Sequence, residues 1–317
     1  MRIDRKKAYW MLAATVLGTA VVVLFSFNFT RSEKTIERSI EHDYAINEPQ
    51  FRREMGVLLG PGITSGNKVE ALDNGVEIFP SMLEAIRGAE RTINFETYIY
   101  WSGDIGREFS EALSERARAG VKVNVVIDWV GGMKMDADLA GRMQAAGVRV
   151  QYYRPLAWYN LSRINKRTHR KLLIVDGRLG FTGGVGIADQ WTGTAQDPEH
   201  WRDMHFRVEG PVVAQIQAAF IDNWIKTTGH VLNGEEYFPR LDPAGDMDAH
   251  LFISSPDGGS ESMHLMYLMA IAASRETLDV HASYFVPDEL TVAALRMALK
   301  RGVRIRVLVP GEHIDSD

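Results

Sequence analysis

The stretch Thr168-His169-Arg170-Lys171-Leu172-Leu173-Ile174-Val175-Asp176-Gly177, followed by Phe181-Thr182-Gly183-Gly184, holds the residues best suited to chemistry in this chain. Its apolar run predicts a β-strand, and the two-residue period of a strand places His169 and Lys171 on one face, with a glycine-rich turn a few residues beyond. A nucleophile or proton carrier beside a fixed positive charge suits a phosphate ester. The attacking group must reach phosphorus while a cation neutralises the non-bridging oxygens. A purely structural reading competes: His and Lys two apart on a strand also arise by chance, and Asp176-Gly177 is a hairpin signal between Lys171 to Val175 and Leu179 to Thr182.

The elements around this string alternate. Ser81 to Arg91 reads as helix, Thr92 to Tyr100 as strand, Asp104 to Ala119 as an amphipathic helix closed by Gly120, and Val121 to Ile127 as a buried strand. Strand, helix, strand at this spacing is a βαβ unit and implies an α/β fold. The unit repeats. Ala85-Ile86 through Arg91-Thr92-Ile93 matches Ala270-Ile271 through Glu276-Thr277-Leu278 at a constant offset of 185, and Gly120-Val121-Lys122-Val123-Asn124-Val125-Val126 matches Gly302-Val303-Arg304-Ile305-Arg306-Val307-Leu308 after a three-residue gap. His169 follows Ile127 by 42 residues, so its counterpart in the second copy is expected near position 350, beyond Asp317.

The 317 residues allow one large or two small domains plus an N-terminal segment. Ala8 to Thr30 carries no charge and is rich in Ala, Val, Leu and Phe. As a helix it is long enough for a bilayer, and it reads as a transmembrane anchor rather than a cleaved signal, because no small-x-small site follows it. Arg2, Arg5, Lys6 and Lys7 before the span against Arg31, Lys34 and Arg38 after it favour a cytoplasmic N-terminus and a globular part outside the cytoplasm. The expected division is an anchor over 1–30, a juxtamembrane linker over 31–65, a first half over 66–240 and the start of an incomplete second half over 241–317. The formal net charge of −5 does not suggest a general polyanion binder, so attraction to phosphates must come from local clusters. Without cysteine there is neither a disulfide nor a thiolate metal site.

H-x-K, four residues, Asp, six residues and Gly-Gly together resemble the motif of the phospholipase D superfamily, and the chain resembles its bacterial cardiolipin synthase branch over roughly Gly66 to Asp317. Gly66-Asn67, Glu96-Thr97-Tyr98-Ile99-Tyr100, Trp201-Arg202-Asp203, Val208-Glu209-Gly210-Pro211, Phe220 and Trp224 also look like the first half of that family. The resemblance implies a phospholipase D-like fold of two repeated α/β halves. It also implies a phosphatidyl transfer to phosphatidylglycerol or a related alcohol through a phosphohistidine, with one histidine attacking phosphorus and one from a second motif protonating the departing alcohol. Neither a cofactor nor a metal is implied. His169 would supply one of the two histidines, with either assignment open, and Lys171 would bind phosphoryl oxygens. Asp203 would orient His169 by accepting its other ring N–H. Asp176 would act directly or by holding strand and loop together, the latter favoured by its place before Gly177. Gly183 and Gly184, with Arg167 and Arg170, would contact the substrate. The family usually carries Asn where this chain has Gly186.

Arg163, Lys166, Arg167, Arg170 and Lys171 crowd just after Tyr152, Tyr153, Trp158 and Tyr159. The cluster suits the headgroup zone of an anionic membrane, and equally a solvated loop beside core aromatics; single-stranded nucleic acid would also fit it but is the less expected partner. His200 and His205 flank Asp203, but their spacing with His169 fits no metal motif. His264 and His281 read as packing or surface residues. The expected partners are an anionic phospholipid and the membrane, with a symmetric homodimer conceivable if the chain is naturally this short. Two rivals stand beside transfer: hydrolysis by a phospholipase D or phosphodiesterase, and a non-catalytic protein that binds anionic lipid.

Overall fold

A computed structural model describes residues 5–28, 36–41, 43–155, 167–254 and 261–311. Trp158, Tyr159, Arg163 and Lys166 of the basic and aromatic cluster lie outside the described residues. Helix α1 (Arg5–Asn28) contains the run Lys6–Leu24, 19 residues of mean hydropathy 1.6, none of it buried in the protein. Its length and composition suffice to cross a bilayer.

Part of the segment expected as a linker is helical. Helix α2 (Pro49–Leu59) starts on a proline, whose missing N–H costs nothing in a first turn. It buries Phe51, Met55 and Leu59, spaced four apart on one face, against Met269 and Ala273 of α7 (Ser262–Ala273). Ile46 N–H donates to Ala273 O at 3.2 Å, tying the preceding segment to the same helix. That apolar stripe was obscured by the polar residues between its members and by the Gly-Pro-Gly that follows.

An eight-stranded mixed sheet forms the centre. Its strands are β1 (Thr64–Asp73), β2 (Thr92–Thr97), β3 (Lys122–Asp128), β4 (Arg149–Tyr153), β5 (Leu172–Val175), β6 (Leu179–Gly183), β7 (Met204–Glu209) and β8 (Met247–Ala249), in the order β4-β3-β2-β5-β6-β7-β1-β8. Strands β2, β3 and β4 run parallel; from β2 across to β8 each neighbour is antiparallel. Helices α3 (Asn74–Arg87), α4 (Asp104–Arg118) and α5 (Ala137–Ala145) pack on one face around Ile93, Phe95, Phe109, Leu113 and Ile127. Helix α6 (Val213–Thr228) covers the other face with Ile216, Phe220 and Trp224 over Val126 and Ile174. With both faces covered, all six residues of β2 are buried. Helix α3 begins earlier than the expected Ser81 and keeps Pro80 on its exposed side, where solvent can satisfy the carbonyl it leaves free.

The expected repeat is present in the strand register. Strands β9 (Thr277–His281) and β10 (Arg304–Leu308), joined through α8 (Glu289–Lys300), pair in parallel with Thr277 opposite Arg304, as Thr92 stands opposite Lys122 in the first unit.

Candidate active site

Strand direction collects the chemistry at one end of the sheet. The parallel strands β2 and β3 end there, the antiparallel β5 starts there, β6 ends there and β7 starts there. Tyr98, Asp128, His169, Gly183 and Asp203 thus come from distant parts of the chain to one edge.

The ladder of β5 begins only at Leu172, so His169 and Lys171 sit on the extended segment that leads into the strand rather than within it. Two-residue alternation nevertheless holds. His169 and Lys171 point to one side, where Lys171 Nζ lies 2.9 Å from Nδ1 and 3.2 Å from Nε2 of His169 and also donates to His169 O at 2.9 Å. The Tyr98 ring packs on the imidazole with centroids 4.8 Å apart, and the Lys171 ammonium lies 5.6 Å from the Tyr98 centroid. Burial, and then the charge of Lys171, lower the His169 pKa to about 4, so the ring is neutral near pH 7 with a lone pair to use. Burial also lowers Lys171 to about 8, partly opposed by Asp203.

Thr168 and Arg170 point the opposite way, toward α6. Thr168 Oγ1 donates to Glu96 Oε1 at 2.5 Å, and its N–H donates to Asp128 Oδ2 at 3.0 Å. Arg170 donates to Ala219 O at 2.7 Å and to Asp222 Oδ2 at 3.0 Å.

The glycines at the end of β6 permit a close approach by β7. A Cβ on Gly184 would stand 2.0 Å from Asp203 Oδ1, and one on Gly183 would stand 2.6 Å from the Cα and Nδ1 of His205. Asp203 accepts from Trp191 Nε1 at 3.1 Å and from Met204 N–H at 2.8 Å; burial raises its pKa against those bonds and the Lys171 charge.

The comparisons with known proteins fit this arrangement. Residues 82–224 match the family model described as cardiolipin synthase, PLD-like domain. Cardiolipin synthase A of Pseudomonas syringae pv. syringae (strain B728a) is 34% identical over 249 residues, covering 78% of this chain and 51% of that protein. The probable cardiolipin synthase YwiE of Bacillus subtilis (strain 168) is 32% identical over 254 residues, covering 79% and 50%. The chain belongs to the phospholipase D superfamily, on its cardiolipin synthase branch. It spans about half the length of these two curated relatives. The fold is shared with the crystal structure of phosphatidylserine synthase from Haemophilus influenzae Rd KW20, at a TM-score of 0.54 and 13% identity, covering 82% of this chain and 66% of that one.

Several residues expected at the site make contacts elsewhere in this structure. Asp176 lies at the opposite end of β5, where its carboxylate accepts from the N–H groups of Glu90, Arg91 and Thr92 at 2.7 to 2.9 Å. With Asp176 at φ 53 and Gly177 at φ 64 it forms the tight β5–β6 hairpin, so it pins strand to strand and does not reach the imidazole. Arg170 is turned to α6 by the strand alternation, and Arg167 donates to Arg154 O at 3.2 Å; neither hydrogen-bonds His169 or Lys171. Asp203 makes no hydrogen bond to His169; its oxygens accept from the Trp191 indole and the Met204 amide, and Lys171 stands against the ring. Gly186 has no room for a side chain: a Cβ would stand 2.8 Å from Ile99 Cβ. His200 pairs with Asp197 at 2.6 Å, and among the described residues no three His, Cys, Asp or Glu side chains stand together as metal ligands.

The sequence reading named Glu96, Tyr98, Thr168 and His205 without giving them a role at the site, and it passed over Asn223. Glu96 left a trace as a lone carboxylate in the otherwise uncharged strand Thr92–Thr97. His205, weighed there only as a metal ligand beside Asp203, has its ring fully buried with neither nitrogen hydrogen-bonded, and burial lowers its pKa to about 3.

Proposed function

We propose that this chain carries the first catalytic half of a phosphatidyltransferase of cardiolipin synthase type. The reading is carried by a neutral imidazole held against an ammonium, in the family's motif, in a chain whose relatives are named cardiolipin synthases. A ring nitrogen of His169 attacks phosphorus of a phosphatidylglycerol donor; the N–P bond forms as the bond to the glycerol oxygen breaks. Lys171 neutralises the non-bridging oxygens during that step. The hydroxyl of a second phosphatidylglycerol then attacks phosphorus, the N–P bond breaks, and the ring recovers its lone pair. By the family resemblance, a histidine of a second motif gives a proton to the departing glycerol and takes one from the incoming hydroxyl. Asp203, buried near Lys171, keeps that ammonium charged. Helix α1 anchors the domain in the cell membrane, with the N-terminus cytoplasmic and the globular part outside.

Full-length protein extracted in detergent and given phosphatidylglycerol should form cardiolipin and glycerol, and His169→Ala should form neither. Cardiolipin formation by the Ala variant would remove His169 from the chemistry; phosphatidic acid as the product of the unaltered protein would make water the acceptor.

A further inference from the structure

The segment that presents His169 and Lys171 runs from residue 167 to residue 171 outside any β-ladder, so something other than strand pairing must fix it. The hydrogen bonds that do so converge on one buried acid. Glu96 Oε1 accepts from Thr168 Oγ1 at 2.5 Å and from Asn223 Nδ2 at 2.6 Å, and Asn223 Nδ2 also reaches Thr168 Oγ1 at 3.0 Å, closing a ring of three side chains from β2, the segment and α6. On the far side of His169, the Arg170 guanidinium is fastened to Ala219 O and Asp222. The residues flanking His169 are thus tied down on the face opposite the one on which the imidazole and ammonium stand.

We infer that Glu96 is a positioning residue for the site: through Thr168 and Asn223 it sets where the backbone presents His169 and Lys171. Two observations separate this from a role in folding alone. Glu96 is fully buried, and its Oε2 has no hydrogen-bond partner, so the carboxylate carries a desolvation cost that the backbone pairing of β2 does not require. The repeat supplies an internal comparison. The position equivalent to Glu96 at the offset of 185 is His281, exposed at the end of β9, so the βαβ unit adopts its register without a carboxylate there. An acid kept at a cost, where the other copy forms the same strand pairing without one, fits a group retained for geometry. Arg170 and Asp222 are the charged groups that face it, with burial raising its pKa to about 7.

The inference rests on the transferase reading for its turnover measurement but not for its spectroscopic one. Glu96→Ala, Glu96→Gln, Thr168→Val and Thr168→Ser would each be made in the full chain and followed by thermal midpoint, by kcat and KM for phosphatidylglycerol, and by the NMR resonance of the His169 ring Cε1–H. Glu96→Ala and Thr168→Val should lower kcat about 100-fold with KM changed less than about threefold, the signature of misplaced reacting groups. Both should displace the His169 resonance, while Glu96→Gln and Thr168→Ser, which can keep the hydrogen bonds to the 96–168–223 ring, should return kcat to within about tenfold and restore the resonance. A folded Glu96→Ala protein with unaltered kcat and an undisplaced resonance overturns the inference. So does a Gln variant as inactive as the Ala variant with both midpoints equally lowered. An unaltered protein that does not turn over phosphatidylglycerol overturns the proposed function instead, and the His169 resonance then decides the role of Glu96 alone.

Discussion

Asn94 and Asn124 face each other across β2 and β3; at the same register of β9 and β10 stand Asp279 and Arg306. The first pair is fully buried and neutral, with Asn124 Nδ2 donating to Asn94 Oδ1 at 2.8 Å and Asn94 Nδ2 donating to Gln217 Oε1 of α6 at 2.9 Å. The second pair is an exposed ion pair, Arg306 Nη2 to Asp279 Oδ2 at 2.6 Å. One repeat therefore preserves backbone register while its neighbours decide the chemistry it tolerates. In the first unit, β5 and α6 close over β2 and bury this pair away from water. In the second, each side chain of β9 is half-buried or exposed, and charge is admitted.

Exchanging the pairs should break this difference most sharply. Asn94→Asp with Asn124→Arg would bury an ion pair among groups arranged for amides, and removing two charges from water costs several kcal/mol. Urea unfolding should show a large loss of stability, whereas Asp279→Asn with Arg306→Asn should leave the midpoint where it was. Equal effects would mean that burial is not what distinguishes the units. Next in size is packing. Phe95→Ala opens a cavity beside Phe109 and Tyr100 and should cost about 3–5 kcal/mol. Val280→Ala, at the equivalent position of β9 and only half-buried, should cost below about 1 kcal/mol.

The chemistry of the first unit gives two tests by pH. His169 at about 4 and Lys171 at about 8 set a plateau in kcat/KM between those values, falling toward acid as the ring protonates and toward alkali as the ammonium is lost. In Lys171→Arg, whose guanidinium stays charged, any activity that remains should keep no alkaline limb near pH 8; an unchanged limb would assign it to another group. Glu96 acts on stability. Its folded pKa of about 7 lies above that of an unfolded glutamate, so its contribution is complete below about pH 4.5 and is lost as pH rises through 7. The Glu96→Gln protein should gain on the unaltered one in urea midpoint between pH 5 and pH 8, and a constant gap would mean that Glu96 does not titrate there.

The sequence made the first βαβ unit legible because its periodicity and its repeat are local signals: β2, α4, β3 and the Asp176-Gly177 hairpin fall close to where the pattern put them. What it concealed depends on partners distant in the chain. Thr168 reads as the residue before a histidine until Asn223, 55 positions on, closes over it. Arg170 reads as one more cation of a basic cluster until strand alternation aims it at Asp222. Asp203 reads as a partner for His169 until Trp191 occupies its oxygen. Helix α2 went unread because its stripe needs α7 to cover it. The motif thus named the pair proposed to react, and the supports around it were set by tertiary contacts.

The smallest expected effect completes the comparison from the side of the second unit. Asp279→Asn removes a carboxylate held below its usual range by the Arg306 guanidinium, yet both partners are solvated. Exposed pairs gain little over hydration and are screened by salt. The thermal midpoint should therefore be unmoved at 0.15 M salt, and any difference seen at low ionic strength should fade as salt is added. Asn94→Ala offers the contrast at the same register: it leaves the Asn124 and Gln217 amides buried and unpaired, a loss of about 1–3 kcal/mol that salt should not alter. A salt-dependent Asn94→Ala, or a salt-independent Asp279→Asn, would show that the two units differ less in dielectric surroundings than their burial implies.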